Sequence, residues 1–215
     1  MGIRYLSGLL LLIVALTLTV PSVGSAQLSG TTQANSLTDA EKADGWRLLF
    51  DGRSLLGWVP RGGDALWSVD DGSITAVSTG LSSQIGSAEE YTNFRLLIDY
   101  WTDEGHNSGI YFRGPRAPLA LVHQFSFYEV NISDDHKTFP TGSLVDILRY
   151  DPTPKSAGQW NTYDIMAEGN HIVVKLNGTT TIDITNGLHY SGVIALQAWG
   201  KGRVKFRTIK IKPLP

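Results

Sequence analysis

Apolar and polar positions alternate with a period of two through most of the chain beyond residue 45, the pattern of half-buried strands. In 107–113, Ser108, Ile110 and Phe112 share one face while Gly109, Tyr111 and Arg113 share the other. In 127–132, Tyr128, Val130 and Ile132 oppose Phe127, Glu129 and Asn131. The same reading places strands at 46–50, 67–69, 73–77, 81–85, 94–101, 108–113, 127–132, 160–167, 171–176, 179–184, 193–199 and 203–211. Turn pairs punctuate them, including Asp51-Gly52, Asp71-Gly72 and Gly200-Lys-Gly202. Asn177-Gly178 between Val174 and Thr181 is the clearest two-residue hairpin. In the last strand the apolar set Val204 and Phe206 changes parity before Ile209 and Ile211, which predicts a bulge near Arg207-Thr208. So many short strands with almost no helix predict an all-β fold, a two-sheet antiparallel sandwich of jelly-roll type.

The first 45 residues follow different rules. Arg4 precedes an apolar run over 9–20 and small residues at 24–26, the arrangement of a secretory signal peptide cut after Ala26. The run is shorter than the roughly 20 residues of a membrane span, so secretion or periplasmic export is expected, with no membrane attachment after cleavage. No cysteine is present, which excludes a lipid-anchored form and any disulfide. Residues 27–44 read as a flexible Ser/Thr/Gln-rich spacer, closed by a short helical turn that the capping-box spacing of Thr38 and Glu41 predicts. A single domain over 45–215 follows. The whole chain carries 18 Lys+Arg against 20 Asp+Glu, a net charge of -2, which gives no basic stripe for nucleic acid. A monomer is expected.

The polar faces carry the candidate chemistry. An arginine, a tyrosine, a carboxylate and an amide turned away from an aliphatic core suit a sugar better than bulk water. Glu129 is a candidate base or metal ligand, or else a cross-strand partner of Arg113. Arg113 could hold sugar hydroxyls or an enolate oxygen through its planar fork. Gln197 and Trp199 share the face opposite Leu196 and Ala198, so one could hydrogen-bond a sugar while the other stacks on it, or Trp199 packs beneath a loop. Asn107, Tyr111 and Asn131 complete the substrate-binding set. His123, just before the Glu129 strand, is a candidate acid or base. His136 and Asp134, in the charged turn that follows it, could take part in a divalent metal site, with a solvated acidic turn as the plainer alternative. His171 and His189 abut turns and receive no role. No nucleophile elbow, phosphate loop or zinc-protease motif occurs.

The order of several motifs resembles one family. Leu49-Phe-Asp-Gly-Arg-Ser-Leu-Leu-Gly-Trp58 is followed by Trp67-Ser-Val-Asp-Asp-Gly72, Asn107-Ser-Gly-Ile-Tyr-Phe-Arg113 and Tyr128-Glu-Val-Asn131. Thr141-Gly142, Gln159-Trp-Asn161, Leu176-Asn-Gly178, Gly192-Val-Ile-Ala-Leu-Gln197 and Val204-Lys-Phe-Arg207 continue the series. Together they resemble the 3-keto-disaccharide hydrolase domain family over nearly all of 46–214. The resemblance implies a concanavalin A-like sandwich with a concave sugar-binding face, and a secreted bacterial enzyme acting on glycosides oxidised at C3. It implies proton removal next to the ketone, elimination of the leaving group and hydration. The chain departs from the family at Asn131, where Gln is common, at Leu144-Val145, where an aromatic is common, and at Thr208 in place of Asn. A non-catalytic carbohydrate-binding module of the same shape is the alternative.

Overall fold

The computed structural model describes residues 1–2, 33–121 and 125–215. Most of the leader, the first part of the spacer, and His123 lie outside the described residues. Among the described residues eleven strands form one continuous antiparallel network. In chain order they are β1 (Arg47–Leu48), β2 (Trp58–Gly62), β3 (Leu66–Asp70), β4 (Ser73–Tyr91), β5 (Phe94–Thr102), β6 (Asn107–Gly114), β7 (Tyr128–Ile132), β8 (Asn161–Glu168), β9 (His171–Leu176), β10 (Thr179–Thr185) and β11 (Gly192–Pro213). A five-residue helix, α1 (Asp39–Ala43), precedes them.

Two long strands build both layers. β4 and β11 pair from Gly192 against Tyr91 to Phe206 against Ile74. The first part of β11, 193–199, takes β6 on its other side, and β7 extends that sheet. The later part, 204–213, takes β5, and β8, β9 and β10 extend the second sheet. The change of layer falls at Gly200 and Gly202, whose φ values of 84° and 148° suit residues without a Cβ. The sequence reading cuts this strand in two at the same glycines; they bend the strand rather than end it. β4 is likewise one strand where two were expected. β2, paired to β4, has no counterpart in the sequence reading because Pro60 and Arg61 interrupt its alternation, which an edge strand tolerates.

The core lies between the layers. Ile110, Phe112, Val130 and Leu196 from one sheet meet Phe94, Ile98, Tyr163 and Phe206 from the other, all fully buried. Each such side chain contributes roughly 1.5–3 kcal/mol on leaving water. The predicted hairpin is present, with Asn177 and Gly178 at φ 50° and 83° between paired Leu176 and Thr179. So is the bulge: the register with β5 shifts between Arg207 and Lys210, and Thr208 sits at φ 53°.

The helical turn forms with both capping-box hydrogen bonds between Thr38 and Glu41, and Lys210 and Lys212 hold Glu41 and Asp44 against β11. Asn35 corrects the reading of its neighbourhood as loose spacer. Its side chain donates to Gly72 O at 2.8 Å and accepts from Thr208 N at 2.8 Å, tying the segment to the bulge.

Candidate functional site

The outward face of the β7-β6-β11-β4 sheet is a grid of side chains that can be read row by row from the register. One row runs Gly86, Ala195, Tyr111, Glu129; the next runs Gln84, Gln197, Gly109, Asn131. A third pairs Trp199 with Asn107. Small residues sink the middle of the grid and polar ones surround it. Loops on either side wall it into a cavity of about 390 Å³, within the roughly 300–1,000 Å³ of small-molecule sites.

Glu129 occupies the floor. Its carboxylate lies across Gly109 on the neighbouring strand. A Cβ there would collide with Oε1 and stand 3.0 Å from Cγ, so glycine is needed for close approach, not for backbone freedom. Burial pushes the Glu129 carboxyl up to about 8; the Tyr111 hydroxyl opposes this as a hydrogen bond, and the Asp146 charge adds to it. The Tyr111 hydroxyl, buried and beside the carboxylate, is held well above the usual phenol range. Gln197 Nε2 donates to the Tyr111 oxygen and to Ser82 Oγ, and Gln84 stands beside Gln197 on the paired strand. With the Gln197 amide donating to its oxygen, the Tyr111 hydroxyl keeps its own proton for an acceptor, and Glu129 is its cross-strand neighbour. The Tyr111 ring meets Phe127 edge-on at 4.4 Å.

Seven of the residues proposed from sequence come together here: Glu129, Tyr111, Asn107, Asn131, Gln197, Trp199 and His136 all line the cavity. Asn131 is buried and braces the wall, donating to Phe139 O and accepting from Ile132 N. Trp199 remains 48% exposed.

Arg113 is placed elsewhere, which corrects its proposed catalytic role and its proposed pairing with Glu129. At φ 56° its backbone leaves the strand region, so the alternation that aligned it with Tyr111 no longer holds. The side chain is 2% exposed and donates to the carbonyls of Thr92, Gly169 and His189. It clasps three loops at one end of the sandwich, behind the cavity wall. Asp134 is also engaged structurally. It accepts from Thr141 Oγ1, Ser156 Oγ, Ser156 N and Ala157 N, while His136 Nδ1 accepts from Phe139 N at 2.9 Å. The proposed metal pair is therefore not assembled, and among the described residues no three His, Cys, Asp or Glu side chains are grouped to hold a metal ion.

Ten cavity residues lie outside the sequence proposals, Gln84, Asp146 and His189 among them. Gln84 was accessible to it, since it alternates against Ser83 and Ile85. Asp146, at φ 60° in the loop after β7, and His189, in the loop before β11, reach the cavity only through tertiary folding. Burial pulls the His189 imidazole below its ordinary value, and the nearby Arg113 charge acts the same way.

A curved β-sandwich with a polar cavity on one outward sheet face has the architecture of lectin-like and glycosidase-like jelly rolls. The chain belongs to the 3-keto-alpha-glucoside-1,2-lyase-like domain family, whose model matches residues 45–212. A 3-keto-disaccharide hydrolase of Bacteroides thetaiotaomicron is 26% identical over 180 residues, which cover 70% of this chain and 62% of that protein. A candidate glycosyl hydrolase from Parabacteroides distasonis superposes with a TM-score of 0.72 at 24% identity, over 85% of this chain and all of the other. The carbohydrate-binding module CBM66 of Bacillus subtilis superposes at 0.57 with 20% identity, over 72% and 94% of the two chains.

Proposed function

We propose that this protein cleaves glycosidic bonds of 3-keto-glycosides, with Glu129 as the base. The ketone acidifies the C2 proton. The ionised Glu129 carboxylate takes that proton, and the electron pair passes to the C2–C3 bond as an enolate. The enolate collapses to a C1–C2 double bond as the C1–oxygen bond breaks, and the leaving oxygen takes a proton, which the newly neutral Glu129 can return. Water then adds across the double bond, giving the free 3-keto-sugar and the released alcohol. One carboxylate with a raised pKa suits this sequence, because the base is strong when ionised and a competent donor once protonated.

The observation that carries the reading is the Glu129 carboxylate seated over Gly109 on the cavity floor, with Tyr111 paired beside it on the neighbouring strand. The family match and the Bacteroides relative support the reaction class. The test is release of 3-keto-glucose from a 3-keto-disaccharide. Glu129→Gln should abolish release while the variant still folds. Wash-in of solvent deuterium at C2, also lost in the variant, reports the proton step itself. A second reading, glycan capture without turnover, draws on the half-exposed Trp199 at the cavity edge. Binding without product, lost on Trp199→Ala, would decide for it. We also propose, from the leader pattern, that the protein acts outside the cytoplasm.

A further inference from the structure

The cavity's amides are gathered toward one end along the strand direction, with Leu119 beside Gly62 and Val145 beside Glu129 adding apolar surface at its sides. At one end lie Asn107, Gln197, Gln84 and Asn131, with Trp199 beside them. Glu129 and Tyr111 mark the boundary. Beyond them, toward the Gly114 end of β6, the lining turns apolar. Phe127 packs against Gly114, and Phe125, Leu188 and the His189 ring close that side. Phe125 and Leu188 are 55% and 67% exposed.

The charges are one-sided. Among the described residues no lysine or arginine lines the cavity, while Glu129 and Asp146 both do. Val122, His123 and Gln124, between the described Leu121 and Phe125, include neither. Arg113 reaches His189 O behind the apolar end, and Arg61 packs over Gly86 in the Tyr111 row, but both guanidinium groups are taken up by the backbone carbonyls they bind. A carboxylate, sulfate or phosphate entering here would lose its water, find no cation, and face Asp146.

We infer that the cavity places the sugar ring on the amide end and takes an uncharged leaving group with an apolar face, an aryl or alkyl aglycone, at the Phe125–Phe127–Leu188 end. The inference rests on the proposed reaction for which part of the ligand leaves. The amide end supplies the hydrogen bonds a pyranose needs and a Trp face for its C–H side. The other end supplies contact area and almost no donors, so a second sugar there would leave hydroxyls unmatched.

The probes are 3-keto glucosides carrying phenyl, cyclohexyl, glucosyl or 4-carboxyphenyl groups, kept intact by using the full chain with Glu129→Gln, which lacks the proposed base. Their binding to that chain is measured by calorimetry. Phenyl and cyclohexyl should bind more tightly than glucosyl, and 4-carboxyphenyl about tenfold more weakly than phenyl, the scale of one uncompensated charge in a partly dry site. Phe125→Ala should erase the phenyl advantage and leave glucosyl binding unchanged, whereas Trp199→Ala should weaken all four alike. Asp146→Asn should recover part of the 4-carboxyphenyl loss. Tightest binding of the glucosyl or 4-carboxyphenyl probe, or uniform weakening by Phe125→Ala, would overturn the inference. Failure of the parent reading looks different: unoxidised phenyl glucoside would bind as well as its 3-keto form, with the aglycone ranking intact. If no probe binds, the inference is overturned as well.

Discussion

The raised pKa of Glu129 makes a prediction about stability that is independent of any substrate. Its carboxyl moves from an ordinary 4.5 to about 8, chiefly through burial. Between those values the folded state holds a proton that the unfolded state releases, so stability must fall as pH rises through the window. Below pH 4.5 both states are protonated and the effect vanishes. At pH 7 the window crossed is 2.5 units, and at roughly 1.36 kcal/mol each this bounds the effect at about 3.4 kcal/mol. The side chain is only half-buried, so water reaches part of it and about 2 kcal/mol is the realistic scale. Glu129→Gln keeps the shape and an acceptor for Tyr111 but never ionises. Its melting temperature should therefore match the wild type near pH 4.5 and exceed it by about 4–8 °C at pH 7 for a domain of this size. The difference should widen to pH 8 and then level off. Thermal melts of both proteins across pH 4–9 measure it, and other titrating groups cancel in the difference. A gap that is constant with pH, or a variant less stable at pH 8 than the wild type, would refute the burial argument.

The remaining predictions concern single contacts. kcat/KM on a 3-keto-glycoside should rise through pH about 8 as Glu129 ionises, and Tyr111→Phe should move that limb to higher pH by removing a hydrogen bond that favours the carboxylate. Gly109→Ala should displace the Glu129 carboxylate and reduce turnover at least about tenfold while far-UV circular dichroism stays native. Arg113→Ala should destabilise the fold by about 2–4 kcal/mol in denaturant titration, by stranding buried carbonyls, with kcat per folded molecule unchanged. Asp134→Ala should lower stability by about 2 kcal/mol through loss of its four acceptor contacts, read in the same titration.

The sheets were largely legible in the sequence because one face of each strand is buried and a period of two then follows from geometry. Tyr111, Glu129 and Gln197 were legible for the same reason: their parity turned them away from Ile110, Val130 and Leu196. Parity counting fails where the backbone leaves the strand region, and Arg113 at φ 56° is such a place; one left-handed residue moved a presumed ligand for sugar into a loop clasp. Glycines carry a second ambiguity. Gly200 and Gly202 read as a turn between strands, yet they bend a strand that continues, because pairing with β4 on the other edge holds it extended. Asp146 and His189 were illegible since each lies in a loop, where no periodicity says which way a side chain faces.

The passage of β4 and β11 through both layers has a mechanical consequence. Neither sheet can slide or hinge on the other without breaking the strands they share, so domain closure of the shear kind is barred to this scaffold. The geometry between Glu129, Tyr111 and Gln197 is fixed before any ligand arrives, and whatever accommodates the ligand must be movement of the surrounding loops. Amide hydrogen exchange should then register the two layers as one cooperative block, with the loop amides opening at far lower free energy.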